Sequence, residues 1–193
     1  MAVSGADSHD RSVVRGQDMS RPGTWAAGGA TPHRRPCVGC GALVPDAGGP
    51  THAYIGASPG CWAIFGELTA KAYGDYRYAS AHRFIVDAYA AQHPGVPERR
   101  SIQSVAVHLI SLHLALEKGM TPDQTMKAMR RAADRSAAFV WLDPPASLGE
   151  GTVLDVLEAK DPAEHKGRVE QWAKSVWEAW SPHHETVRRW ARL

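Results

Sequence analysis

The chain has 193 residues, of which 22 are Lys or Arg and 20 are Asp or Glu, so its formal net charge is +2. Such a balance gives no indication of a nucleic acid or an acidic membrane as a partner, and we expect neither. The longest apolar stretches fall short of the roughly 18–20 residues that a bilayer span requires. The start of the chain also lacks the apolar core of a signal peptide, so we expect a cytoplasmic protein.

The first 36 residues differ in composition from the rest of the chain. They are rich in Gly, Ser, Arg, Asp and Pro, and Trp25 is their only aromatic residue. Such a segment cannot bury enough apolar surface to offset the entropy lost on ordering it. We therefore predict a disordered tail over residues 1–36, with Met19 as an alternative to Met1 as the true start. Residues 37–193 are enough for a single domain.

Residues 37–60 are dense in Gly and Pro, which predicts an irregular loop. Within it, Cys37-Val-Gly-Cys40-Gly41 places two thiols on a tight turn, a pattern typical of a zinc knuckle. His52 and Cys61 complete a Cys3His set, which is common in structural zinc sites. A loop with so few apolar residues has no other evident source of order, whereas structural zinc supplies folding free energy. The sequence therefore predicts zinc held by Cys37, Cys40, His52 and Cys61.

Other interpretations of the cysteines remain open at this point. A redox-active Cys37–Cys40 pair is one, although the βαβ context of a thioredoxin-like motif is missing. A disulfide with one spare thiol is another, but three cysteines without a signal peptide do not suggest an extracellular disulfide framework. Unliganded thiols are the third.

From residue 61 onward the pattern is helical. A small polar residue followed by Pro is typical of a helix N-terminus, and it occurs at Ser58-Pro59, Thr121-Pro122, Asp161-Pro162 and Ser181-Pro182. We predict helices at 59–72, 78–93, 100–118, 122–139, 152–159, 162–179 and 182–192. Since no convincing strand pattern appears, we predict an all-α, helical-bundle-like domain with an irregular, zinc-stabilised N-terminal loop. Segment 101–116 is apolar on nearly every side, which places it in the middle of the bundle.

Several histidines and one aspartate on the predicted helices form a second candidate site. Its members are His82, Asp87, His93, His108 and His184. Helical bundles commonly hold metals through ligands from facing helices, and an open position on such a metal would permit hydrolase or transferase chemistry. However, no closely spaced pair such as HExxH marks ligands here. Each histidine taken alone is more often a hydrogen-bonded core or cap residue than a ligand.

Three functions therefore remain open. The leading one is a zinc-binding protein whose zinc is structural and whose molecular role is unknown. A metal-dependent enzyme that uses the helical histidines is the second. The third is a regulatory module in which the zinc loop and an exposed Trp177 contact a protein partner or a second copy of the chain.

Several stretches of the sequence resemble an uncharacterised bacterial family, common in actinobacteria and known only as a domain of unknown function. The stretches that carry the resemblance are Cys37–Gly41, Gly49–Tyr54, Ser58–Trp62, Val86–Gly95, Val107–Leu109, Thr152–Val156 and Val176–His184. They extend over nearly all of the predicted domain. The resemblance implies a single domain but assigns no activity, substrate or ligand.

Overall fold

The computed structural model describes residues 33–192, so the prediction of a tail over residues 1–32 lies outside the described residues. Within them the fold is all-α apart from one small hairpin. The elements are, in chain order, β1 (Arg34–Pro36), β2 (Leu43–Pro45), α1 (Pro59–Gly74), α2 (Tyr76–Ala79), α3 (His82–Gln92), α4 (Arg99–Leu116), α5 (Pro122–Asp134), α6 (Val153–Leu157), α7 (Pro162–Ala179) and α8 (His184–Ala191). Short 3-10 turns follow α5 and α7.

The hairpin corrects one boundary of the predicted organisation. Strands β1 and β2 pair antiparallel, with Arg35 opposite Val44, and no strand is predicted from the sequence at either place. Strand β1 also lies inside the segment predicted to be a tail, so the ordered region begins before residue 37. A strand of three residues is too short to show an alternating pattern. The pairing depends instead on the turn between Cys37 and Ala42, where the backbone N–H of Cys37 donates to the carbonyl of Ala42 at 2.8 Å.

Three of the four helix starts predicted at Pro are confirmed, for α1, α5 and α7, and two of these carry the expected side-chain caps. Ser181-Pro182 instead opens a 3-10 turn, and α8 begins at His184. The helix predicted at 78–93 is interrupted, because α2 ends at Ala79 and α3 begins at His82.

The Thr121 hydroxyl accepts from the backbone N–H of Gln124, whose side chain accepts in return from Thr121. This reciprocal capping box satisfies two backbone donors that have no partner inside the helix. Asp161 caps α7 in a similar way by accepting from the N–H groups of Ala163 and Glu164, each at 2.9 Å.

Helix α4 lies in the middle of the bundle, as its apolar pattern predicts. It packs against α3, α5, α7 and α8, and Leu109, Ile110 and Leu112 are fully buried. Helix α3 in turn lies among α4, α7 and α1. Two buried tryptophans from the region of α7 hold the C-terminal half of α3 in place. Trp172 Nε1 donates to the Gln92 side chain and Trp180 Nε1 donates to the Ala91 carbonyl, both at 3.1 Å. The end of α3 is thus held rigidly, and this end carries His93.

Candidate metal centre

Cys37 and Cys40 lie on the turn that joins the two strands. The N–H of Gly41 donates to the carbonyl of Cys37 at 2.9 Å and closes the turn. Gly41 itself has a φ of 74°, a left-handed conformation that glycine adopts without strain. This turn directs both sulfurs toward the same point, the start of α1.

Cys61 lies in the first turn of α1, where the helix dipole favours a thiolate. Pro59 fits the first helical position because it has no N–H to leave unpaired. Ser58 precedes it, but its side chain does not cap the helix. Instead the Ser58 hydroxyl accepts from the N–H of Val38 at 3.1 Å, and the N–H of Ser58 donates to the sulfur of Cys37 at 3.4 Å. Ser58 therefore connects the cysteine turn to the helix.

The fourth member of the cluster is His93, the residue at which α3 ends. Its Nδ1 lies 2.7 Å from the carbonyl oxygen of Tyr89. Because a carbonyl oxygen only accepts, Nδ1 must carry the proton and donate it, which leaves Nε2 free to act as a ligand. Nε2 lies 3.6 Å from the sulfur of Cys37 and 3.5 Å from that of Cys61. The histidine is 1% exposed, so it is held in this orientation inside the protein.

Three of the six distances between the four ligand atoms agree with those of a tetrahedral zinc site. With zinc–sulfur bonds of about 2.3 Å and a zinc–nitrogen bond of about 2.0 Å, tetrahedral angles place two sulfurs about 3.8 Å apart and a sulfur about 3.5 Å from the nitrogen. The sulfurs of Cys40 and Cys61 are 3.9 Å apart, and the two sulfur–nitrogen distances to His93 are 3.5 and 3.6 Å. All four ligand atoms lie within 4.8 Å of one another. This Cys3His cluster could hold a metal ion.

The four groups also perturb the pKa values of one another. Hydrogen bonding to Cys40, and next to Cys61, holds the pKa of Cys37 far below its usual range. Hydrogen bonding to Cys37 and Cys40, together with burial, raises the pKa of Cys61 far above it. Burial alone would lower the pKa of His93, but hydrogen bonds to Cys37 and Cys40 raise it to about 9. A thiolate in such a cluster disfavours the ionisation of its neighbours, and a bound cation would offset that repulsion.

His52, predicted as the fourth ligand, does not belong to the cluster. Its ring contacts the rings of Tyr54 and Trp62, with centroid distances of 4.3 and 5.2 Å. The structure brings His93 to the three cysteines instead, although the sequence suggests it for the helical site. The signal in the sequence that could have identified His93 is its position at the end of a helix, directly before Pro94-Gly95. A side chain at that position can project past the end of the helix.

The second predicted site is not assembled, because its five members lie in four different surroundings. His82 packs against Tyr73, with ring centroids 4.4 Å apart, and His93 belongs to the cysteine cluster. The His184 ring stacks on Trp177 with ring centroids 3.7 Å apart, and its Nε2 donates a hydrogen bond to the Trp177 carbonyl at 2.8 Å. Only Asp87 and His108 meet, with 2.7 Å between Asp87 Oδ1 and His108 Nδ1. Over residues 33–192 the Cys3His cluster is the one set of Cys, His, Asp or Glu side chains with metal-binding spacing.

Trp177 differs from its predicted role at an exposed interface. It is 2% exposed, and its indole N–H donates to Glu117 at 3.2 Å. The residue therefore packs α7 and α8 against the end of α4, and it offers no surface to a partner.

Fold and cluster together define a helical protein whose N-terminal hairpin carries a candidate metal centre. The chain belongs to the family of unknown function DUF5946, which matches residues 35–181 and so includes all four cluster residues and the hairpin except Arg34. Comparison with curated proteins and with solved structures gives no match. In the described part of the chain, none of the helices has the length and apolar character needed to cross a membrane.

Proposed function

We propose that this protein binds one zinc ion through Cys37, Cys40, Cys61 and His93, and that the zinc is structural. The observation that carries the proposal is the agreement of three ligand–ligand distances, 3.5, 3.6 and 3.9 Å, with those of a tetrahedral zinc site. The donor set supports zinc, because thiolate and imidazole are the ligands that zinc prefers in closed protein sites. The bond from His93 to the Tyr89 carbonyl is the outer hydrogen bond that such ligands usually make.

The structural role follows from the number and burial of the ligands. Four protein ligands complete a tetrahedron and leave no position for water or substrate, unlike a catalytic zinc site. Cys37, Cys61 and His93 are each 3% exposed or less. The proposal therefore assigns no hydrolase or transferase reaction to the zinc.

The ion would join three parts of the chain that are distant in sequence, and the hairpin is the smallest of them, with Val44 as its one fully buried strand residue. Cys37 and Cys40 come from the hairpin, Cys61 from the start of α1, and His93 from the end of α3. Structural zinc contributes about 10–16 kcal/mol of apparent binding free energy in small zinc-binding peptides. A contribution on that scale accounts for an ordered hairpin whose residues Val38 and Leu43 are exposed.

A reducing compartment suits three thiolates that must stay available to zinc, so we also propose a cytoplasmic location. The expectation that the partners include neither nucleic acid nor membrane stays a prediction. So does the expectation of a protein partner or a second copy of this chain.

Elemental analysis of the purified full-length chain tests the proposal. We expect about one zinc per chain without metal added during purification, as a single tetrahedral site requires. A preparation free of zinc, even after expression in zinc-supplemented medium, would exclude the proposed function.

A further inference from the structure

A cavity of about 490 Å³ lies against α4, on residues separate from the metal cluster. It is lined by Tyr54, Arg100, Gln103, Ser104, Val107, His108, Ala133 and Ser136. Its volume falls in the range of about 300–1,000 Å³ that is typical of small-molecule sites. The lining includes one arginine, several neutral polar groups and an aromatic ring, but no carboxylate. Such a lining favours a ligand with a negative charge and a small apolar body.

His108 is held in one orientation in this cavity by a buried carboxylate. Asp87 is 0% exposed, and its Oδ1 lies 2.7 Å from His108 Nδ1. Because an ionised carboxylate only accepts hydrogen bonds, Nδ1 carries the proton and donates it to Asp87. Nε2 is therefore the atom left to exchange a proton with something else. No described residue supplies a hydrogen-bond partner for Nε2, while His108 lines the cavity.

Asp87 is itself fixed by two further contacts. Arg83 Nε donates to Asp87 Oδ2 at 2.8 Å, and the Ser111 hydroxyl donates to the same oxygen. Arg83 also contacts the Ser111 hydroxyl at 2.9 Å. The charge of the carboxylate is thus balanced by an arginine, and it does not depend on His108 for a counter-ion. Asp87 acts as a positioning residue that aligns the imidazole ring.

We propose that this cavity binds a small organic molecule with an oxyanion group, a carboxylate or a phosphate. In this arrangement Arg100 attracts the charge, and Nε2 of His108 shares a proton with the oxyanion. The wall formed by Tyr54, Val107 and Ala133 contacts the body of the ligand. The site is independent of zinc, since none of its lining residues is a member of the Cys3His cluster.

Titration of the full-length, zinc-containing chain tests the site, with His108 followed by NMR of its imidazole ring. The probes are phenyl phosphate and benzoate, with benzamide as the uncharged analogue. We expect saturable shifts of the His108 signals with at least one anion, and no saturation with benzamide. Tighter binding of phenyl phosphate would assign the site to phosphate ligands, and tighter binding of benzoate would assign it to carboxylates.

Two arginine variants separate a built site from general attraction of anions. Arg100→Gln should weaken binding at least about fivefold, which corresponds to about 1 kcal/mol of binding free energy. Arg189→Gln removes the same charge from a residue of α8 that does not line the cavity, and should leave the affinity unchanged. Asp87→Asn should change the NMR signals of the His108 ring nitrogens. If Asp87→Asn does not fold, Ser111→Ala replaces it, because Ser111 also holds Asp87. Absence of saturable binding, or equal weakening by both arginine variants, would overturn the proposal.

Discussion

Nε2 of His93 lies 3.6 Å from Sγ of Cys37, although 56 residues separate them in the chain. This contact brings the end of α3 to the N-terminal hairpin. It also converts three clustered thiols into a four-ligand set with zinc-like spacing. The stability of the domain should therefore depend on the ion and on the residues that hold its ligands in place.

Removal of the metal should destabilise the domain, because the ion would tie the short hairpin to the start of α1 and the end of α3. After treatment with a strong chelator, we expect the free energy of unfolding to fall by several kcal/mol, with the value of about 10–16 kcal/mol known for zinc peptides as the upper limit. Thermal unfolding followed by circular dichroism measures the change. Zinc should restore the original midpoint and magnesium should not, since magnesium prefers oxygen ligands. An unchanged midpoint after complete zinc removal would contradict the structural role.

Gly39 leaves no room for a side chain between the hairpin and His93. A Cβ atom at this position would lie 2.4 Å from both the Gly56 carbonyl oxygen and Cδ2 of His93. Gly39→Ala should therefore displace His93, weaken zinc binding and cost about 1–3 kcal/mol, as overpacking usually does. Gly48→Ala is the matched control, because a Cβ atom there would meet nothing within 4 Å. Competition with a zinc-binding dye measures the zinc affinity of both variants. Equal affinities would show that the close packing of Gly39 against His93 is not needed for zinc binding.

Ser58 connects the cysteine turn to α1 through its hydroxyl. Ser58→Ala removes the acceptor for the N–H of Val38, so we expect a loss of about 0.5–1.5 kcal/mol. Ser181→Ala changes another Ser-Pro sequence, at an exposed serine that begins the 3-10 turn after α7. That variant should stay within about 0.5 kcal/mol of the parent chain. Chemical denaturation measures the free energy of unfolding of both variants. A similar effect of the two substitutions would contradict the proposed role of Ser58.

Glu117 should make the stability of the helical bundle depend on acid pH. Hydrogen bonds from Arg188, and the nearby His113, lower the pKa of Glu117 from 4.5 to about 2. Since the folded-state pKa lies below the unfolded value, this stabilisation is complete above about pH 4.5 and disappears as the pH falls toward 2. Glu117→Gln should cost on the order of 1 kcal/mol at pH 7, the scale of partly exposed ion pairs.

The difference between Glu117→Gln and the parent chain should shrink steadily between pH 4.5 and pH 2. Glu178→Gln, at an exposed position on α7, serves as the control and should show no such trend. Thermal unfolding across this pH range measures the effect. A difference that is constant with pH would mean that Glu117 acts through packing rather than charge.

The helical part of the fold could be predicted because its signals are local. Thr121-Pro122 and Asp161-Pro162 mark helix starts through hydrogen bonds to residues two or three positions away. The apolar pattern of α4 is also a local signal, because a helix that is apolar on nearly all sides is expected to be surrounded by other helices. The hairpin could not be predicted this way, because its three-residue strands depend on the turn at Cys37–Ala42 rather than on a pattern of their own.

The candidate site was predictable only in part, for a similar reason. Cys37 and Cys40 lie close together on one turn, a spacing that itself indicates a metal ligand pair. The fourth ligand is set by the packing of α3, and Cys61 and His93 are 32 residues apart. His52 is closer in sequence to the cysteines but lies against Tyr54 and Trp62. Sequence proximity therefore favoured a histidine that lies outside the cluster.

Zinc content of two histidine variants tests the central claim most directly. His52→Ala should keep about one zinc per chain, whereas His93→Ala should lose zinc or bind it far more weakly, because a tetrahedral site would then lack one protein ligand. His93→Cys should recover binding through four thiolates, which separates loss of a ligand from failure to fold. Full zinc content in His93→Ala, together with loss of zinc in His52→Ala, would contradict the assignment of the metal centre.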